Sequence, residues 1–218
     1  MDTFLSLYNS SVGKKFVVAL TGLFICSFLV VHLTINLFLF KNDGGQTYDL
    51  YAHFMSTNIF IRPIEYILAL GFLLHIFTSA YLWWLNKQAR SVPYKAKASS
   101  ENSTLASRTM FVTGSIVFIF LVVHIRTFFV PTRFADVEPS SYEMVKFAFR
   151  DPLYVLFYVI AISLLGYHLR HGFQSAFQTF GIKDKKYAPY IHFIGGIFWL
   201  LIPLLYIAMP VYFYFNPY

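Results

Sequence analysis

The stretch that decides the fold is FVVALTGLFICSFLVVHLTINLFLF, Phe16 to Phe40, 25 residues without a charge. A helix rises 1.5 Å per residue, so this run exceeds the ~30 Å hydrocarbon core of a bilayer. Lipid offers backbone polar groups no partner, which makes a helix the way across. The run follows Lys14-Lys15 but is too long for a signal-peptide core, and no small-x-small site closes it, so a retained span is expected. Working outward, four more apolar segments follow: Tyr66–Trp84, Met110–Val130, Leu153–Tyr167 and Ile191–Phe215. Charge returns to the fourth at Arg170, and its helix is expected to continue amphipathically to a glycine stop at Gly181. The expected fold is an all-α membrane protein, a bundle of five transmembrane helices in one domain over residues 1–218. No internal repeat and no independent soluble domain is expected.

Composition agrees with the span count. The 218 residues are 57% hydrophobic and 12% charged, about half the charged share of a soluble domain. The lone Cys26 lies inside the first span, which rules out an intrachain disulfide. The net charge of +7 does not point to nucleic acid, because the bases sit in short connections beside apolar runs. Lys14, Lys15, Lys87, Arg90, Lys95, Lys97, Arg108, Arg170, Lys183, Lys185 and Lys186 fall on one side of a five-span bundle. Lys41, Arg62, Arg133, Lys146 and Arg150 fall on the other, offset by six carboxylates. This bias predicts a cytoplasmic amino terminus. The polar loop Lys95–Ser107 reads as a connector, and the tail YFYFNPY as an aromatic anchor at the interface.

Four of the seven histidines lie inside four successive apolar runs: His32, His75, His124 and His168. Ionisable residues are costly in lipid and usually face the bundle interior or a pathway. His32 is 17 residues beyond Lys15 and His124 is 16 beyond Arg108, while His75 is 12 before Lys87 and His168 is 12 before Phe180. These offsets define two depths, roughly 25 Å and 18 Å from the inner boundary. They pair His32 with His124 on the outer side and His75 with His168 on the inner side. Two imidazoles at matched depth on separate helices are what a six-coordinate haem iron requires beyond its four porphyrin nitrogens. No C-x-x-C-H is present, so the haems would be b-type and non-covalent. Zinc usually takes four ligands around one point, which two separate strata do not supply. Gly71, Gly166 and Gly172 leave room beside the rings. Arg126 and Arg170, each two residues after a proposed ligand, suit haem propionates, although snorkelling explains Arg170 equally well.

On these residues the chain resembles, over nearly its whole length, the cytochrome b membrane-anchor subunit of succinate dehydrogenase and fumarate reductase, in its five-helix, two-haem form. The resemblance is carried by one ligand-type histidine in each of the first four spans, by HLRHGFQSAFQTFG from His168 to Gly181, and by SSVGKK before the first span. In that family glycines follow the fourth ligand at plus four and plus thirteen; Gly172 and Gly181 match, favouring His168 over His171. The resemblance implies a flavoprotein and an iron–sulphur partner on the cytoplasmic face. It also implies electron flow through inner then outer haem to a quinone such as menaquinone, in a bacterial cytoplasmic membrane. The chain itself would not oxidise succinate. Some members carry a proton-transferring glutamate two residues before the fourth ligand; here that position is Gly166. Near the outer haem, Asp43, Asp49, His53 and Glu65 are candidates for the quinone site, each also readable as a solvated loop or interface residue. His171 and His192 are given no ligand role.

Three other readings compete. A cytochrome b of a hydrogenase or formate dehydrogenase also uses transmembrane histidine pairs. A proton-relaying transporter predicts no porphyrin and helices broken by glycine or proline near the midplane. A haem-free anchor leaves the matched histidines without a purpose.

Overall fold

The computed structural model describes residues 10–88, 109–135, 140–182 and 184–216. The Lys95–Ser107 loop, Arg90, Arg108, Asp136, Glu138, Lys183 and the last two residues of the aromatic tail lie outside them. Among the described residues the chain is helical and contains no strand. Five helices are long and apolar enough to cross a membrane: α1 (Ser11–Phe40), α3 (Ile61–Gln88), α4 (Met110–Phe134), α6 (Pro152–Thr179) and α7 (Ala188–Phe215). Two short helices, α2 (Gln46–Thr57) and α5 (Ser141–Ala148), fill the connections after α1 and α4. This is a multi-pass membrane protein.

Local chemistry sets the ends. Ser10 caps α1 by accepting from the Gly13 amide at 2.9 Å. Asp151 accepts from the Leu153 amide ahead of α6, whose first residue is Pro152. Gly181 stops α6 as expected: its φ of +77° permits the paired bonds from the Ile182 amide to the Phe177 carbonyl and from the Gly181 amide to the Gln178 carbonyl. The fourth span is therefore one continuous helix, and the histidines and arginine of its second half sit on the same rod as its apolar first half.

The central rod is α6, packed against α1, α4 and α7, while α3 lies on α1. One apolar cluster joins Leu33 and Leu39 of α1, Tyr48 of α2, Val145 of α5, Tyr158 and Ile162 of α6, and Ile202, Met209 and Phe213 of α7. A smaller one joins Cys26 with Leu169 and Phe173. The short helices meet on one side. Asp49 of α2 accepts from the Ser140 hydroxyl at 2.6 Å and the Tyr142 amide at 2.8 Å, so it caps its neighbour. Gly45 packs against the Tyr142 ring so closely that a Cβ would come within 2.2 Å of it.

Both α4 and α7 carry a π-turn, Ile125–Phe129 and Ile197–Leu201, that ends two residues before a proline, Pro131 or Pro203. Proline has no N–H for the carbonyl four residues back, so the preceding ladder slips by one. The Val130 and Ile202 amides accordingly reach Ile125 and Ile197. The spans are wound differently here but remain helical through the bilayer.

The architecture also corrects the expectation that no repeat is present. Span, short helix and span occur twice in succession, α1–α2–α3 and α4–α5–α6. The motif Thr-Gly-x5-Phe-Leu-Val-Val-His occurs at Thr21–His32 and again at Thr113–His124. The two copies stand 92 residues apart (113 − 21) among runs rich in Leu, Val and Phe that hide them; comparing the two span–helix–span units exposes them.

Candidate metal centre

The four mid-span histidines form two pairs. The rings of His32 on α1 and His124 on α4 have centroids 5.8 Å apart, with planes at 88°. Those of His75 on α3 and His168 on α6 are 6.4 Å apart, with planes at 77°. These are the pairs expected from depth. They also lie at two levels. A Cβ at Gly22 of α1 would touch His75 Cε1 at 3.1 Å, and one at Gly114 of α4 would touch His168 Cε1 at 3.4 Å. Gly22 precedes His32 on α1 and Gly114 precedes His124 on α4 by ten residues each, so the levels are roughly 15 Å apart along the helix axes.

Several observations bear on whether a metal suits these pairs. An imidazole nitrogen sits about 2 Å from a bound metal and about 1 Å from its ring centre, so two rings on one ion have centroids roughly 6 Å apart. Both pairs meet that spacing. The outward nitrogen of His75 is also committed: Nδ1 lies 3.2 Å from the Val18 carbonyl and 3.2 Å from the Thr21 hydroxyl. A carbonyl only accepts, so Nδ1 carries the proton and Nε2 keeps its lone pair. His124 Nδ1 lies 3.1 Å from the Tyr158 hydroxyl. The Asn36 amide is 3.4 Å from His32 Nδ1 but makes its better bond, 2.8 Å, to the His32 carbonyl. His168 Nδ1 is buried and meets no partner among the described residues. All four residues keep part of their surface exposed although they sit mid-span. Among the described residues no three His, Cys, Asp or Glu side chains converge on one point. Donors arranged two by two suit an iron porphyrin better than four-ligand zinc.

The remaining candidates occupy defined places. Arg126 is exposed on the π-turn after His124. Arg170 is exposed and its guanidinium lies over the Trp199 ring at 5.2 Å. His171 is half-buried, and His192 meets Gln174 at the start of α7. Of the quinone-site candidates, Asp43 accepts from the Gly45 amide and from the Thr47 amide and hydroxyl, with Lys41 at 3.4 Å. The Thr47 hydroxyl, chief among these partners, holds the Asp43 carboxyl below the usual range. Asp49 caps α5. Glu65 is bound by Arg133, which also donates to the Ser56 carbonyl at 2.8 Å. His53 is exposed on α2. The three carboxylates are thus engaged in joining loops and helices.

Gly166 explains its own identity. A Cβ there would stand 2.7 Å from the Trp199 carbonyl and 3.3 Å from Pro203. That carbonyl is the one Pro203 leaves without an N–H, so the glycine lies against the irregular turn of α7 and has no room for a glutamate. Sequence reading missed Thr21, Asn36 and Tyr158 as partners of the histidines. The repeated Thr-Gly ahead of each Phe-Leu-Val-Val-His was the available signal for the first. No family model, curated protein or solved structure matches the chain.

Proposed function

We propose that this chain is the membrane-anchor and electron-transfer subunit of a succinate:quinone oxidoreductase, a cytochrome b with two non-covalent haems. One observation carries the reading: two histidine pairs, at two depths, each with the ring spacing of a shared metal. His32 and His124 would hold the outer iron, and His75 and His168 the inner. Arg126 and Arg170 are assigned to the haem propionates. The haems would supply one-electron couples; the chain would supply the imidazole nitrogens that hold them, a water-poor surround and the separation between levels. The amino terminus is assigned to the cytoplasm, on the side of Lys14, Lys15, Lys185 and Lys186, where a flavoprotein and an iron–sulphur subunit would dock. The oxidoreductase activity belongs to that complex, in a bacterial cytoplasmic membrane, with electrons exchanged with a quinone, menaquinone in this proposal.

The test is a reduced-minus-oxidised spectrum of the purified chain with haem counted per polypeptide. Two b-type haems are expected. Replacing His32 or His124 should remove one signal, and replacing His75 or His168 the other. A colourless protein overturns the reading, and loss of the same signal from His32 and His75 variants overturns the pairing. A hydrogenase or formate dehydrogenase cytochrome would give the same spectrum; co-purification of a flavoprotein that oxidises succinate separates the two.

A further inference from the structure

The inner and outer pairs are supported differently. His75 is oriented by a backbone carbonyl, which fixes the proton on Nδ1 by itself. Among the described residues no carbonyl meets the His124 ring nitrogens. Its Nδ1 meets the Tyr158 hydroxyl, which can donate or accept, so the ring's tautomer depends on where the Tyr158 proton goes. Tyr158 is 3% exposed and lies 3.1 Å from the Tyr154 hydroxyl, one turn back on α6. Tyr154 in turn donates to Thr127 Oγ1 at 2.9 Å, on the π-turn of α4.

The order of protons along this line follows. The Tyr154 proton is spent on Thr127, so the Tyr154 oxygen accepts from Tyr158. The Tyr158 proton is then spent on Tyr154, and the Tyr158 oxygen accepts from His124. His124 carries its proton on Nδ1 and keeps the Nε2 lone pair free. We propose that Tyr158, Tyr154 and Thr127 are positioning residues that together set the His124 tautomer and orientation for metal binding. Tyr154 acts without touching the histidine. The π-turn contributes by placing Thr127 within reach of α6, one turn beyond His124. This inference rests on the haem reading for its consequence but not for its proton order, which belongs to the polypeptide alone.

Two measurements separate the possibilities. Nitrogen-15 spectra of the histidine rings in the haem-free protein should show His124 protonated at Nδ1, and Tyr154→Phe should move that proton to Nε2 because Tyr158 is left free to donate. An unchanged His124 signal in Tyr154→Phe overturns the proposal whether or not haem binds. In the haem-loaded chain, Tyr154→Phe should weaken retention of the outer haem about 10–100-fold while the inner haem is kept. Tyr158→Phe removes the acceptor, lowers the basicity of His124 and should raise the midpoint potential of the outer haem only. Equal shifts of both haems, or none, overturn the positioning role. Two unshifted haems leave the haem reading intact, and absence of haem from the unaltered chain refutes that reading without touching the tautomer result.

Discussion

At the scale of single residues, the closest contacts make the sharpest expectations. Gly166 cannot gain a side chain without displacing the Trp199 carbonyl, 2.7 Å from a Cβ, and that carbonyl belongs to backbone that has little freedom to yield. Gly166→Ala should therefore lower stability by about 1–3 kcal/mol, read as a lower melting temperature in detergent, and Gly166→Glu by more. A melting temperature equal to that of the unaltered chain would show that α7 can shift at no cost. Tyr48 carries a pH prediction. Burial, with the Asp49 charge adding to it, pushes its phenol up to about 12. The neutral form is the one the fold favours, so the contribution is complete below pH ~10 and is lost as pH rises through about 12. Thermal unfolding between pH 9 and 12 should show an alkaline loss on the order of 2 kcal/mol that Tyr48→Phe removes.

At the scale of elements, a guanidinium joins α3 to α4 at one end, and the Trp83–Phe111 stack joins them at the other. Arg133 reaches both Glu65 and the Ser56 carbonyl, with side-chain exposures of 16% and 25% for the ion pair. That partial exposure limits the coupling, so a double-mutant cycle of Arg133→Ala and Glu65→Ala should return about 1–2 kcal/mol. Arg133→Lys should recover little of it, because one ammonium cannot span two acceptors as the fork does. The five spans were legible because hydropathy marks what lies in hydrocarbon. The true ends of α3 were less so: Ile61–Glu65 and Lys87 are helical but polar, continuing beyond the apolar part, whereas the helix from Arg170 to Thr179 follows the expectation set by Gly181. Helices α2 and α5 were missed. Ser140-x-x-Glu143 is a local start signal for α5, but the seating of the two helices also depends on Asp49 of α2 accepting from the start of α5 and on Gly45 fitting under Tyr142, which no local pattern announces. The same reason hid the histidine partners: depth along a rod follows from counting residues, whereas which neighbour a ring faces depends on rotation about it. Counting sufficed to match His32 with His124 and His75 with His168, but not to find Tyr158.

At the scale of the molecule, the alternation of spans puts α2 and α5 at one end and residues 184–187 at the other. With Cys26→Ser as background, Glu143→Cys and Lys185→Cys should label from opposite faces of sealed vesicles with a membrane-impermeant thiol reagent. Labelling of Lys185→Cys from the cytoplasmic face supports the proposed orientation; labelling of both from one face would break the five-span topology. The repeated span–helix–span unit adds a constraint: the two members of each pair come from opposite repeats, so neither half of the chain holds a complete pair.

The ten-residue step between the histidine levels has an electrical consequence. A rise of roughly 15 Å is about half the hydrocarbon thickness, so a charge passed from one level to the other crosses about half of the membrane voltage. At 100 mV that is on the order of 1 kcal/mol per electron, helping transfer in one direction and opposing it in the other. With Gly166 leaving no space for a carboxylate on α6, that position offers no proton carrier to offset the moving charge, and the proposed electron carrier would feel the energised state of the membrane in which it sits.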